Sequence, residues 1–200
     1  MPKTTGEVEP AQRGRPPSTS ARELELIALN LFATNGFDDT SVEQIAAEAG
    51  ISRRTFFRYF DTKTDVLWHN FDHEVAQLRT ALATAPADAS LLEAIREAVL
   101  AVNGYTAADA AELRLRMNLI NSSPALAASA AAHYDAWEQA IINFAATRLH
   151  TRPTALRPTA IGRATLAVCR AAYEQWSLRA DTNLTRYLDQ ALRLLASGFE

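Results

Sequence analysis

Cysteine, lysine, glycine and proline are all scarce in this chain of 200 residues, and each scarcity excludes something. Cys169 is the only cysteine, so an internal disulfide and a cysteine metal cluster are both excluded. Its neighbours Ala167, Val168 and Ala171 read as an apolar helical face, which makes it a packed thiol. No run approaches the roughly eighteen apolar residues of a membrane span, and the N-terminus carries charge and proline where a secretory leader has an apolar stretch. The expectation is a cytoplasmic protein with no membrane partner. With 7 glycines there is no glycine-rich phosphate loop, and no nucleophile motif appears, so the reading is neither an enzyme nor the holder of a cofactor. His69 and His73 stand four apart, but Asn70-Phe71-Asp72 between them lacks the glutamate of a zinc-protease motif; they read as surface histidines, with no metal.

What is present is alanine and leucine, within a composition that is 48% hydrophobic and 22% charged. Residues that cost little in a helix, with little alternation of β-branched residues, predict an all-α protein. Residues 1–18 hold Gly6, Pro10, Gly14, Pro16 and Pro17 without apolar period and read as a flexible arm. Ser20 and Glu23 fit a capping box opening a helix from Ala21 to about Asn35, with Leu24, Ile27, Ala28, Leu31 and Phe32 on one stripe and Gly36 at its end. Ser41 and Gln44 fit a second capping box, for a helix of about two turns that stops at Gly50. Ser52 then caps a third, from Arg53 to about Phe60. Two short helices joined this tightly must cross steeply, as in a helix-turn-helix over about residues 41–60. Breaks farther on delimit helices near 64–84, 90–103, 106–121, 124–150, 158–180 and 184–199, nine in all.

The net charge of −3 attracts no nucleic acid by itself, so placement decides. Between Ser52 and Lys63, Arg53, Arg54, Arg58 and Lys63 face only Asp61. At 100° per residue Phe56 and Phe60 share one face, for packing on Ile27, Leu31 and Ile45, while Arg54 and Arg58 lie opposite and Arg53 and Phe57 project to one side. Charge alone would describe a solvated helix face. Two capped short helices and a tight turn turn that face into a candidate major-groove reader. The rival reading is a helical ligand-binding or scaffold module without DNA-binding activity.

The run from Leu31 to Ala46 resembles the opening of TetR-family regulators, and Ala49 to Phe60 with Lys63 resembles their recognition helix. The resemblance implies a nine-helix TetR-like fold: a DNA-binding domain over 19–79, then an effector-binding and dimerisation domain over 80–200. It further implies a repressor that binds a double-stranded DNA operator as a homodimer. Carried over by position, Thr40 and Ser41 hold phosphate; Arg53, Arg54, Thr55 and Arg58 contact bases or adjacent phosphate; Phe57, Tyr59 and Lys63 line the backbone. Arg54 stands where members often have glycine, and Phe57 lacks a hydroxyl common there, leaving apolar contact with a thymine methyl or sugar. Arg13 and Arg15 either enter an adjacent minor groove or belong to a solvated tail.

Arg53 to Phe60, Trp68, Phe71, Leu113 to Met117 and Tyr134 to Trp137 look like regulators of the mycofactocin system within this family, which implies a long-chain acyl-coenzyme A effector. Leu113, Met117, Ile120, Tyr134, Trp137, Ile141, Phe144 and Trp176 are the expected walls of its pocket, with Arg114, Arg116, Asn118 and Asn121 at the mouth. The alternative for the apolar set is a plain helical core. Ala160, Gly162, Ala164, Ala167 and Ala171, with Leu188, Ala191, Leu192 and Leu195, form small or apolar faces that suit either a four-helix dimer interface or internal packing.

Overall fold

The computed structural model describes residues 19–179 and 183–199, and among these it contains helices and no strand. Three helices form a small head: α1 (Ala21–Asn35), α2 (Val42–Glu48) and α3 (Arg53–Phe56). Each begins where a serine satisfies an orphan backbone N–H: Ser20 Oγ accepts from Glu23, Ser41 Oγ from Gln44 and Ser52 Oγ from Thr55. At Ser41 the box is reciprocal, since Gln44 Oε1 accepts from the Ser41 N–H at 2.7 Å. Gly36, at φ 91°, ends α1, and its N–H returns to the Phe32 carbonyl.

Two expected boundaries differ. The third helix is four residues long, because beyond Phe56 the bonds tighten: the N–H groups of Arg58 and Tyr59 reach back three residues, to Thr55 and Phe56. The single helix expected over 64–84 is divided into a 3-10 turn, Thr64–Trp68, and α4 (Phe71–Ala83). The recognition segment therefore does not run straight into α4. Burial of Val66, Leu67 and Trp68 holds the turn inward, and the Trp68 ring stacks on His133 of α7 at 4.4 Å.

The remaining helices are α5 (Leu91–Val102), α6 (Ala107–Ser122), α7 (Pro124–Arg148), α8 (Leu156–Ser177) and α9 (Leu184–Ser197). Pro124 opens α7 behind Ser123, where its missing N–H costs nothing. Gly162 lets α8 lie directly on α7, for a Cβ there would stand 2.4 Å from Ile142 Cγ1. Small faces thus serve internal packing at Gly162, whereas Ala160, Ala167 and Ala171 point outward.

Apolar burial falls into two clusters. One gathers Leu24, Phe32, Ile45, Phe56, Phe60 and Trp68 of the head together with Leu119, Ile120, Leu126 and Ala130 of α6 and α7. The other lies among α4, α5, α7, α8 and α9, around Leu78, Ile95, Ile141, Trp176 and Leu188. The end of α6 and the start of α7 are thus part of the core of the head.

Candidate nucleic-acid interface and internal cavity

The Phe56 side chain is fully buried and Phe60 nearly so, which fixes α3 against α1 and α2 and turns Arg53, Arg54, Phe57 and Arg58 to solvent. Arg53 Nε lies 3.1 Å from Glu43 Oε1 of α2, with both side chains exposed. Such a pair is worth little in water and exchanges readily for a base or phosphate. The Arg53 guanidinium also lies 5.3 Å from the Phe57 ring centre, and that of Arg58 lies 5.4 Å from Tyr59. Arg53, Arg54, Phe57 and Arg58 give the segment an outward surface that is basic and partly aromatic.

Four of the residues carried over to phosphate or base contact have their polar atoms engaged inside the protein. Thr40 is 0% exposed, and its hydroxyl donates to the Gly36 carbonyl at 2.7 Å and reaches that of Leu31 at 3.3 Å. That corrects its expected phosphate contact: the hydroxyl closes the turn between α1 and α2, leaving exposed Ser41 beside it. Lys63 Nζ donates to the carbonyls of Phe37 and Thr40, at 2.6 and 2.7 Å, and lies 4.2 Å from the Phe37 ring centre. The Tyr59 hydroxyl donates to the Thr19 carbonyl at 2.5 Å, tying the start of α1 to the recognition segment. Thr55 Oγ1 shares a hydrogen bond with Ser52 Oγ at 2.9 Å. Arg13 and Arg15 lie outside the described residues.

Behind the head is a cavity of about 110 Å³, lined from the 3-10 turn and helices α4 to α9. Leu113, Arg116, Met117, Ile120, Tyr134 and Trp137 of the expected pocket are in its wall. Ile141, Phe144 and Trp176 are not. They fill the second core cluster, Phe144 beneath Arg148 at 5.2 Å and Trp176 beneath Arg114 at 4.4 Å. Arg114 also donates to the Arg179 carbonyl at 3.1 Å, so of the two arginines expected at the mouth only Arg116 reaches the wall. Asn121 borders the cavity, and Asn118 faces a shallow depression beside it.

The polar wall residues Glu74, Asn103, Tyr105 and Tyr173 escaped sequence reasoning. The Tyr105 hydroxyl donates to Glu74 Oε1 at 3.3 Å, Tyr173 donates to Asn103 Oδ1, and Asn103 Nδ2 donates to the Val99 carbonyl at 2.8 Å. Burial raises the Glu74 carboxyl above the usual carboxylate range against the pull of Arg116 and Tyr105, and raises both tyrosines. Cys169 also lines the space, its thiol pushed up to about 12 by burial and therefore inert at neutral pH. Glu74 lies among other polar residues of α4, and Tyr105 in the short link between α5 and α6; no local signal marks either as a wall residue.

Residues 27–68 match the family model for bacterial regulatory proteins of the tetR family, and residues 89–200 match that of the MftR C-terminal domain. The chain is 34% identical over 187 residues to the mycofactocin biosynthesis transcriptional regulator MftR of Mycobacterium tuberculosis, covering 94% of each. It is 31% identical over 182 residues to the HTH-type transcriptional regulator TcmR of Streptomyces glaucescens, covering 88% of this chain and 80% of that protein. The crystal structure of Thermus thermophilus FadR in complex with lauroyl-CoA shares the fold, with TM-score 0.60 and 23% identity over 90% of this chain and 95% of that one. With a C-terminal model covering more than half of its length and a relative matched almost end to end, the chain belongs to the TetR family and is a DNA-binding transcriptional regulator rather than an enzyme.

Proposed function

We propose that this regulator is a repressor that binds a pseudo-palindromic operator as a homodimer and leaves it when a long-chain acyl-coenzyme A enters the cavity. The observation that carries the DNA part is the outward patch of Arg53, Arg54, Phe57 and Arg58 on a segment anchored by buried Phe56 and Phe60. Arginine donates two parallel hydrogen bonds to guanine O6 and N7, and Phe57 offers apolar contact to a thymine methyl. One such patch spans few base pairs; two, offset by about 34–36 Å, read successive major grooves. The outward alanines of α8, with half-buried Ala164 among them, form the surface on which a second copy packs.

For the effector, the wall of Leu67, Leu113, Met117, Ile120, Tyr134 and Trp137 favours an apolar chain, and Arg116 and Asn121 favour oxygen acceptors. At about 110 Å³ the cavity is smaller than the roughly 300–1,000 Å³ of most ligand sites, so a long chain enters by parting helices. That gives ligand and DNA different preferred conformations, the condition for release. FadR of Thermus thermophilus, crystallised with lauroyl-CoA, supports the choice of ligand. Gel shifts on DNA flanking the gene, with acyl-coenzyme A thioesters of increasing chain length, free coenzyme A and free fatty acid, test the proposal. Release by the long thioesters alone is expected; undiminished DNA binding with every one of them would reject the effector.

A further inference from the structure

Among the described residues Glu25 is the only charged one that is fully buried, at 0% exposure. Its oxygens are held by arginines from two helices: Arg22 Nη1 of α1 at 2.8 Å and Arg116 Nη2 of α6 at 2.5 Å. Arg116 donates in addition from Nη1 to the Leu67 carbonyl in the 3-10 turn at 3.1 Å and from Nη2 to Glu112 at 2.8 Å. Glu112, one turn before Arg116 on α6, also accepts from Arg22 at 2.6 Å. Arg116 Nε is buried without a partner, and Arg116, Leu67 and Trp68 all belong to the cavity wall.

A buried carboxylate that loses one of its cations costs far more than the intact pair contributes. Glu25 therefore resists parting from Arg116, and α1 must follow α6 when α6 moves. We propose that Arg116 is the positioning residue that couples the cavity to the DNA-reading head. One guanidinium stands in the wall that an entering ligand displaces and grips both α1 and the 3-10 turn behind the recognition segment. An oxygen acceptor on the ligand supplies the partner that Nε lacks and gives the ligand a direct hold on the same group. This deepens the ligand-release reading and rests on it for the event that opens the cavity.

The test replaces the ionic tie by an apolar pair, Glu25→Leu with Arg116→Met, in the full chain and opens the cavity in two ways. One is oleoyl-coenzyme A; the other is Ala127→Phe, or Met117→Trp should the first fail to fold, which fills the cavity with no ligand. Hydrogen exchange is followed in α1 and residues 64–68. In the native background each filling should change exchange there by about tenfold or more; in the apolar-pair background the change should stay within α6 and α7. Equal responses of α1 in both backgrounds, or none in the native one on filling by substitution, would overturn the coupling role. If the substitutions move α1 and oleoyl-coenzyme A changes neither exchange nor tryptophan fluorescence, the acyl thioester is rejected and the coupling role stands.

Discussion

Arg53 and Arg58 gain little structurally from being arginine: both are exposed, the ion pair of Arg53 with Glu43 lies in water, and exposed ring contacts like theirs with Phe57 and Tyr59 are worth about 0.5–1 kcal/mol. Arg53→Ala and Arg58→Ala should each leave stability nearly unchanged and cost about 1–3 kcal/mol of discrimination between cognate and altered operators. Gel shifts on a set of single-base variants measure this; identical preferences for both variants would remove the reading patch. Lys63 is the contrary case. Two of its three donors are spent on the Phe37 and Thr40 carbonyls, so Lys63→Ala should lower stability in urea by about 1.5–3 kcal/mol through loss of charge-assisted hydrogen bonds. The salt slope of DNA binding should then hardly change; a fall of about one would instead make Lys63 a phosphate contact. Glu74 gives a pH signature. An acid whose pKa is higher folded than unfolded holds more protons when folded, so its contribution to stability falls as pH rises from the ordinary carboxylate value through the raised one. Glu74→Gln should flatten that fall in urea midpoints measured across it. Parallel curves for the two proteins would show that Glu74 does not titrate in this way.

At the scale of elements, the short helices of the head depend on their ends. The α2 helix has seven residues, too few to persist without tertiary packing, and its capping box satisfies an orphan donor and the N-cap N–H together. Ser41→Ala should cost about 1 kcal/mol of stability, read from the shift of the urea midpoint. These caps were legible because Ser41 and Gln44, or Ser52 before an apolar-spaced segment, is a local signal whose hydrogen bonds close within one turn. The division of 64–84 was not legible. The sequence there stays compatible with one helix, and it is the packing of Trp68 on His133 and Tyr134, more than sixty residues away, that turns the chain at His69 and Asn70.

At the scale of the molecule, the outward alanines of α8 predict a dimer. Ala167→Arg, on the exposed face, should leave the monomer folded while the mass found by light scattering halves and operator affinity falls. A wild-type chain already monomeric at full operator affinity would reject the arrangement. Because α6 and α7 close the core of the head with Leu119, Ile120, Leu126 and Ala130 and also line the cavity, the proposed ligand release would involve the whole subunit rather than the head alone.

By itself the sequence determined the helical class, the caps, the buried Phe56–Phe60 face and the basic patch opposite. All of these depend on residues within one or two turns of each other, where helical periodicity dictates direction. Part of the cavity wall followed for the same reason, since Leu113, Met117 and Ile120 share one helix face and so do Tyr134 and Trp137. Only the tertiary structure decided that Thr40 and Lys63 turn inward, that Ile141, Phe144 and Trp176 fill core rather than cavity, and that Glu25 meets Arg116 ninety-one positions away. Glu25 shares the buried face of α1 with Leu24, Ala28, Leu29 and Phe32, a face rotated from the expected stripe through Ile27 and Leu31, so neither its burial nor its partner was read from the spacing. Which cation answers a buried carboxylate depends on how two distant helices cross, and no local pattern in either one records that.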